Sequence, residues 1–408
     1  MNLWITVAIV TITYLGIAIG RWPLIKSNRA TISLMGVGLL LVFGQIQFEE
    51  LVDFIDFDTL VLLFSMMIIN ANLKMAGFFT WAGGALVKST RSPRIFLLAE
   101  ILLVGLLSAL FVNDTICLMF TPFVLNLALS IGRNPIPYLI ALATASNIGS
   151  VATLTGNPQN MIVGIASGIS YLDFSRALLP VAILGLGSVW LVITRFYRYE
   201  FEPGTFPALP PSEEVLNRWM LVKVLVITGG MLVAFLAGVS IALASFLAAC
   251  LLLFTRRNSP QTVFAEFDWS LLVFFSGLFI VSGALEANGV THRLFELTDL
   301  GKKTNIWSFS LITVVLSNLV SNVPAVLLLR PVVQLLPDPT AGWLTLAAAS
   351  TLAGNLTLLG SVANLIVAEI ADRYRVTLSF WEYTKAGLVI TCLSLLTGIL
   401  YIAAFIWK

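Results

Sequence analysis

The sequence is poor in charged residues and nearly free of histidine. Only 11% of its 408 residues are Asp, Glu, Lys or Arg, against roughly a quarter in ordinary soluble domains. The single histidine, His292, excludes a histidine cluster, and the three cysteines, Cys117, Cys250 and Cys392, lie in no paired spacing. Neither a disulfide framework nor a zinc site is expected. The net charge of +2, without any basic run, argues against a nucleic-acid partner.

Apolar stretches, by contrast, are abundant and long enough to cross a lipid bilayer. The chain is 58% hydrophobic, with a mean hydropathy of +0.96. A helix needs roughly 20 such residues to cross a hydrocarbon core about 30 Å thick. The runs are continuous rather than alternating, which favours helices over a barrel. The first 20 residues lack the charged start of a signal peptide, so we interpret them as the first crossing. The composition predicts an all-α polytopic membrane protein.

The apolar pattern predicts about ten crossings and two re-entrant hairpins. Continuous spans are placed near 3–20, 31–47, 59–76, 176–195, 218–237, 239–255, 269–286 and 384–406. Two more crossings, 137–168 and 341–371, are interrupted by Gly, Asn, Thr and Ser, and are interpreted as broken helices. Two segments, 95–130 and 305–337, have apolar arms around a polar tip and are interpreted as hairpins that enter and leave on one side.

Basic residues set the expected orientation. Most of the 23 Lys and Arg fall in loops that this layout places in the cytoplasm, together with the proline-rich linker 196–217. This agrees with the positive-inside rule and puts both termini outside. The loop 287–304, with Arg293, Lys302 and Lys303, goes against the rule. We expect the membrane to be a bacterial inner (plasma) membrane.

The two halves of the chain match each other. FDTLVLLFS at Phe57 resembles FDWSLLVFFS at Phe267, and the broken segments that start at Ser146 and Ser350 share seven identities in register. Each half has five crossings, an odd number, so the first repeat (1–195) and the second (218–408) are expected to be inverted relative to each other. Inverted repeats with interrupted segments in corresponding places are typical of secondary transporters.

The polar interruptions of the apolar segments form the candidate site. Hairpin tips and broken helices expose backbone N–H groups at helix N-termini, where partial positive charge attracts anions. Two tips, Asn113–Thr115 and Ser321–Val323, and two breaks, 146–160 and 350–364, are expected to converge. Their Asn, Ser and Thr side chains supply neutral donors and acceptors. The alternative is that these small polar residues only pack helices together.

Among the intramembrane charges, Asp114 is the strongest candidate for a functional role. An acid at membrane depth costs about 2.5–3.5 kcal/mol on insertion scales, so we expect it to bind the coupling H⁺ or Na⁺. The alternative is an ordinary helix cap. Val323 stands at the matching place of the second tip. Weaker candidates, expected to snorkel, pair or pack, are Lys74, Cys117, Glu100, Glu286, Arg330 and Glu369. Arg330 could pair with an anion or with Asp114, or anchor its helix at the membrane interface.

Four motifs carry a resemblance to a known family: VNDT at 112–115, SNIGSVATLTGNPQN at 146–160, SNVPAVLLL at 321–329 and AGNLTLLGSVANLIVAE at 353–369. With them the chain resembles, over nearly its whole length, the ion transporter superfamily, which includes arsenite-efflux permeases, NhaD-type Na⁺/H⁺ antiporters, the melanosomal P protein and divalent-anion/Na⁺ symporters. The resemblance implies a scaffold, a mobile transport domain with an elevator-like shift, and a homodimer.

The resemblance also implies where substrate and ion bind. The implied residues are Asn113, Asp114, Thr115, Ser146, Asn147, Gly156, Asn157, Asn160, Ser321, Asn322, Asn355, Gly360 and Asn364, with a Na⁺ site near Asn113, Asp114 and Asn147. The symporters carry Ser-Asn-Thr at both tips. The tips here read Val-Asn-Asp and Ser-Asn-Val, which argues against dicarboxylate binding and resembles the arsenite permease and NhaD branch.

These patterns together predict a secondary active transporter rather than an enzyme. The expected substrate is a small anion or oxyacid, exchanged by alternating access and coupled to H⁺ or Na⁺, with arsenite efflux the most concrete choice. A soluble ATPase subunit would be a partner if the protein were an arsenite pump. The alternatives are a Na⁺-coupled dicarboxylate or sulfate symporter and a Na⁺/H⁺ antiporter. No resident cofactor is expected apart from the coupling ion.

Overall fold

The computed structural model of the chain describes residues 3–19, 28–89, 92–202, 216–254, 259–290, 293 and 305–406. These residues are almost entirely helical, and no β-strand occurs among them. His292, most of the linker 196–217 and most of the loop 287–304 lie outside the described residues. The prediction of an all-α fold is confirmed.

Nineteen helices account for the described residues. The first half contains α1 (Leu3–Ile19), α2 (Arg29–Val42), α3 (Leu51–Phe54), α4 (Phe57–Met75), α5 (Phe78–Ser89), α6 (Pro93–Leu110), α7 (Asn113–Ser130), α8 (Ile136–Ser150), α9 (Pro158–Ser167) and α10 (Tyr171–Phe196). The second contains α11 (Arg218–Leu236), α12 (Ile241–Leu253), α13 (Pro260–Phe264), α14 (Trp269–Ala287), α15 (Ile306–Val320), α16 (Asn322–Val333), α17 (Pro339–Ala353), α18 (Val362–Arg373) and α19 (Phe380–Phe405).

Every predicted crossing coincides with a helix or with a pair of helices around a break. Six described helices, α4, α6, α10, α11, α14 and α19, are long and apolar enough to cross a membrane. Five shorter apolar helices are α1, α2, α12, α15 and α16. At 1.5 Å per residue the 12 residues of α16 reach about 18 Å, less than a hydrocarbon core and in keeping with a hairpin arm. The chain is an integral membrane protein.

The order of elements in the second half repeats that of the first. A helix pair with a tight tip (α6–α7, α15–α16) is followed by a broken pair (α8–α9, α17–α18) and then by a long helix (α10, α19). Packing also crosses between the halves, because α2 lies against α14, α4 against α12, and α10 along α19. The repeat boundaries and the inversion in the membrane stay predictions.

Helices α8 and α17 lie at the centre of this bundle. Every residue from Pro137 to Ser150 is buried, as is every residue from Ala341 to Ala353. A helix that is apolar or small on all sides packs only where other helices surround it. Helix α8 contacts α6, α7 and α10 of its own half and α17, α18 and α19 of the other. Both breaks therefore begin deep inside the protein.

Three helices were not predicted: the short α3 and α13, and the longer α5. Helix α5 spans only 12 residues and includes Gly83, Gly84 and Lys88, so its apolar pattern is weak. It packs against α7, where Gly83 lies against the ring of Phe123. Contact with the first hairpin, rather than its own composition, stabilises this helix.

A substitution at Gly149 tests the contact between α6 and α8. A Cβ atom on Gly149 would overlap the backbone of Gly105, which cannot move aside as a side chain could. We expect Gly149→Ala to lower the free energy of unfolding by about 1–3 kcal/mol or more, the usual cost of overpacking. The matched control is Gly187→Ala on α10, where nothing lies within 4 Å of the added carbon. Thermal unfolding of both variants in detergent checks this, and equal melting temperatures would contradict it.

Candidate functional site

The first hairpin tip is hydrogen-bonded directly to the first break. The backbone N–H of Asn113 donates to the carbonyl of Gly156 at 2.9 Å. The Ser146 hydroxyl donates to the carbonyl of Asn113 at 3.0 Å and lies 2.9 Å from the hydroxyl of Ser108 on α6. A side chain at Gly156 would meet the carbonyls of Ser150 and Ser108, so glycine is required here by close backbone approach. Tip and break therefore form one connected unit.

The second tip repeats this arrangement with different details. The Ser317 hydroxyl donates to the carbonyl of Ser350 at 3.0 Å. With its amide nitrogen turned toward the second break, Asn322 donates to the carbonyls of Ser350 and Gly360 at 3.1 and 3.3 Å. Ser321 has a φ of +79°, a left-handed conformation that costs a non-glycine residue about 1–3 kcal/mol. Of the two tips, only the second is strained in this way, since Val112 at the first has a φ of −61°.

Two asparagines close the two breaks in the same way. The Asn160 amide donates to the carbonyls of Ser150 and Thr153, at 3.0 and 2.9 Å. The Asn364 amide donates to the carbonyls of Gly354 and Thr357, at 2.7 and 3.1 Å. Each amide pairs carbonyls that the interrupted helix leaves without a backbone donor. The identical pattern explains why asparagine recurs at this place in both halves.

Asn147 joins the two halves. Its amide nitrogen donates to the side-chain oxygens of Asn355 and Asn364, at 2.9 and 3.0 Å. Its oxygen accepts from the amide of Asn113 and the hydroxyl of Ser361, both at 3.1 Å. All five side chains are buried. A single side chain thus connects the first tip, the first break and the second break.

Several amide atoms in and next to this network have no partner among the described residues. They are the side-chain oxygens of Asn70, Asn113, Asn160 and Asn318 and the side-chain nitrogen of Asn355. A buried polar group left unpaired costs about 1–3 kcal/mol. Both donors and acceptors are therefore available to a ligand that carries both.

The remaining predicted residues lie at the edges of this centre. Asn157 caps α9 by accepting from the N–H of Asn160 at 2.9 Å, and its amide donates to the Ser150 hydroxyl at 2.7 Å. Gln159, which was not predicted, donates to Thr351 of the second half at 3.1 Å. The breaks are thus in contact with each other through polar side chains from both repeats.

Asp114 and Thr115 face a separate cavity of about 190 Å³. The Thr115 hydroxyl accepts from the amide of Asn70 at 3.1 Å, and Lys74 forms an ion pair with Glu266 at the cavity wall. Asp268, the cap of α14, also lines it. Asp114 is therefore next to the amide network in sequence and opens onto a different space.

Arg330 does not approach Asp114. It lines another cavity, of about 200 Å³, together with Asp53, Asp56 and Glu286. The suggestion that Arg330 pairs with Asp114 is wrong, because α16 carries Arg330 to a cavity that does not include the first tip. Lys74 and Glu369 do pair, with Glu266 and Arg373 respectively. Glu100, by contrast, was expected to snorkel or pair, and is fully buried with neither oxygen partnered among the described residues.

Sequence reasoning missed several members of the network: Asn70, Ser108, Ser317, Thr351 and Ser361. A signal for two of them exists, because Ser108 and Ser317 precede the tip asparagines of their halves by the same number of residues. Ser361 precedes α18 directly, in the position where a polar residue commonly caps a helix. Asn70 and Thr351 lie within helices, and only their contacts across the bundle distinguish them.

Two alanine variants distinguish the role of an asparagine that only closes a break from the role of one that also joins the two halves. Asn160→Ala and Asn364→Ala each remove two hydrogen bonds to buried carbonyls, so both should destabilise the protein by about 1–3 kcal/mol. Only Asn364→Ala also removes a partner of Asn147. We expect it to reduce the initial transport rate roughly fivefold to tenfold more than Asn160→Ala does, since about 1–1.4 kcal/mol of additional loss corresponds to that range. Similar rates at matched amounts of folded protein would contradict this.

A polytopic helical bundle in which two polar breaks meet across the halves is the architecture of a membrane transporter. The chain belongs to the CitMHS citrate transporter family, whose model matches residues 14–353. The predicted resemblance to the ion transporter superfamily is confirmed, and the protein is a transporter rather than an enzyme.

Individual relatives agree with this assignment. The silicon efflux transporter LSI3 of Oryza sativa subsp. japonica is 31% identical, over 92% of this chain and 93% of that protein. The putative transporter arsB of Dictyostelium discoideum is 27% identical, over 91% of this chain and 86% of its own. The fold is similar to that of the Alcanivorax borkumensis YdaH transporter, with a TM-score of 0.64, 15% identity, and coverage of 99% of this chain and 97% of that one.

Proposed function

We propose that the protein is a secondary active transporter for a small oxyacid, with arsenite efflux the most concrete activity. The main observation in favour of this proposal is the chemistry of the centre around Asn147, whose side-chain hydrogen bonds are all made with amide and hydroxyl groups. Arsenous acid is mainly neutral near neutral pH and carries hydroxyl groups that both donate and accept. Such a ligand matches the unpaired amide atoms of Asn113 and Asn355. Matching unpaired donors and acceptors is what gives a polar site its selectivity.

Two relatives support this substrate class. The rice protein is a silicon efflux transporter, and the Dictyostelium protein is a putative transporter named arsB. Silicic and arsenous acids are both small, neutral and hydroxylated near neutral pH. Citrate, which gives the family its description, carries several carboxylates. Lys74, which lines the same cavity as Asp114, is already paired with Glu266, so it offers little to a multiply charged anion.

Coupling to H⁺ or Na⁺ is assigned to Asp114 and its surroundings. Asp114 lines a cavity wide enough for water and reaches it from the first turn of α7. The unpaired oxygen of Asn113 is a ligand of the kind Na⁺ accepts, whereas the oxygen of Asn147 already accepts two hydrogen bonds. We place a Na⁺ site, if Na⁺ is the coupling ion, between Asp114 and Asn113.

The proposal extends to the mobile domain, the oligomer and the membrane. Alternating access would move the hairpins and broken helices as a transport domain against α1, α2, α4, α11, α12 and α14, in an elevator-like shift within a homodimer. The proposed setting is a bacterial inner membrane with both termini outside. A soluble ATPase subunit would be a partner only of an arsenite pump.

Transport by the purified protein in liposomes tests the proposal. Arsenite, silicate, sulfate, succinate, citrate and Na⁺ are compared with and without an imposed pH gradient, against liposomes without protein. We expect saturable arsenite or silicate movement that a gradient of H⁺ or Na⁺ accelerates. Na⁺-driven uptake of succinate would instead establish the symporter alternative. Exchange of Na⁺ for H⁺ without any of the acids would establish the antiporter alternative.

A further inference from the structure

Glu100 is a buried acid in the first hairpin that no described residue pairs with. It lies on α6, is 0% exposed, and neither carboxyl oxygen has a hydrogen-bond partner among the described residues. Its neighbours on the buried face, Leu97, Ile101 and Val104, are also 0% exposed and apolar. The carboxyl group is therefore in an environment that neither water nor a described cation reaches.

Such a group is held in its neutral form. An ionised carboxylate buried without a partner is far more costly than a neutral acid, so the group keeps its proton instead. Among the helices that pack against α6, the described side chains of α5, α7 and α8 carry no positive charge, and the two arginines of α10, Arg176 and Arg195, form no hydrogen bond with Glu100. The titratable group that faces Glu100 from α8 is Tyr138, and its phenol cannot neutralise a carboxylate.

The internal repeat indicates that the acid is not needed for packing. Phe309 occupies the corresponding place on α15, at the same spacing from its tip asparagine, and is likewise 0% exposed. An apolar side chain thus serves the same position in the second half. A buried acid lowers the stability of a helical bundle, and an apolar residue is enough for packing at this position. The acid is therefore a candidate for a role in function.

Polar side chains follow the turn before Glu100 toward one end of the bundle. One turn before it, Phe96 packs edge-on against the ring of Tyr138, with centroids 5.7 Å apart. The Tyr138 hydroxyl donates to a carboxylate oxygen of Glu200 at 3.3 Å, and Arg133 lies 3.6 Å from that carboxylate. Glu200 and Arg133 are partly exposed. Tyr138 thus stands between the buried acid and a hydrated acid.

We propose that Glu100 is a proton-binding site of the transporter, exchanging its proton with the end of the bundle that carries Glu200. The proposal rests on the coupled transport proposed above and adds a second acid to Asp114. In the described state the O–H bond of Glu100 is intact. When water enters the α6–α8 contact at the Tyr138 end, that bond breaks, the proton passes to water or to Glu200, and the carboxylate that remains is hydrated. Reprotonation reverses these steps.

Infrared spectroscopy tests the site without any substrate. Spectra of the full chain in liposomes, recorded over a range of pH, are compared for the wild type, Glu100→Gln and Glu49→Gln, an exposed acid that serves as the control. We expect a protonated-carboxyl band at neutral pH in the wild type and in Glu49→Gln that is absent from Glu100→Gln. A band unchanged by Glu100→Gln overturns the proposal. Glu100→Leu, which follows the example of Phe309, provides the same comparison if the glutamine variant does not fold.

Transport assays then test coupling. With equal pH on both sides, Glu100→Gln should exchange arsenite at a rate within about twofold of Glu49→Gln, because a neutral glutamine imitates the protonated acid. An imposed pH gradient should accelerate the wild type and Glu49→Gln but leave Glu100→Gln unchanged. Full acceleration of Glu100→Gln overturns the coupling role. If no acid moves even in the wild type, the proposed function fails, and the infrared comparison still decides whether Glu100 holds a proton.

Discussion

Replacing Asn147 by alanine is expected to reduce arsenite transport about 100-fold. The substitution removes at once the partner of the Asn113 amide, of the side-chain oxygens of Asn355 and Asn364, and of the Ser361 hydroxyl, and each buried group left unpaired costs about 1–3 kcal/mol. A loss of 1.4 kcal/mol is a factor of ten, so two such losses account for the expected effect. Initial rates in liposomes, normalised to folded protein, give the measurement.

Two further variants define the cause of that loss. Asn147→Asp retains the oxygen that accepts from Asn113 and Ser361 but replaces the donor that faces Asn355 and Asn364, so it should fail as completely as alanine. Asn126→Ala removes an amide on the exposed side of α7 and should transport normally. Transport by Asn147→Ala within about twofold of Asn126→Ala would show that the network is not the site.

Replacing Asp114 by asparagine is the second large effect that we expect. The amide keeps the size of the side chain in its cavity but can neither release a proton nor supply charge to Na⁺. Accumulation of arsenite against a gradient should fall more than about tenfold, while movement down a gradient persists. The measurement is uptake under an imposed H⁺ or Na⁺ gradient, compared with uptake when both sides are equal.

The matched control for this variant is Asp58→Asn. Asp58 is exposed in the first turn of α4 and corresponds to Asp268 in the internal repeat. It should behave as the wild type in both assays. Gradient-driven accumulation that survives in Asp114→Asn would remove Asp114 from the coupling step and leave Glu100 as the acid to examine.

Much of the fold could be predicted from the sequence, because its signals are local. Runs of about 20 apolar residues mark crossings, and Gly, Asn and Pro mark where helices stop. The breaks begin after Ser150 and Ala353 and end before Pro158 and Val362, within the segments that were predicted. Helix α5 was not predicted because a short segment with two glycines has no strong apolar pattern of its own.

Contacts between distant segments could not be predicted in this way. The bond from Asn147 to Asn355 joins residues 208 apart in sequence, and no spacing rule implies it. The interpretation of Glu100 was wrong for a related reason. Its place near the start of an apolar segment indicated access to the membrane surface, but α8 and the other neighbours of α6 cover that side of the helix. Burial depends on what packs against a residue.

The bare backbone contact of Gly105 with Gly149 has a mechanical consequence. The corresponding contact in the second half is filled, because the Asn318 amide bridges the carbonyls of Val314 and Ala353. If α6 slid along α8, the two backbones in contact would have to separate. In the second half, the side-chain amide of Asn318 can instead move its hydrogen bond from one carbonyl to the next. Around Gly105 and Gly149, at the opposite end of α8 from Tyr138, the first hairpin and its broken helix should therefore move as a stiff block. The movement needed to admit a ligand to the amide network should therefore occur in the second half, next to the strained Ser321.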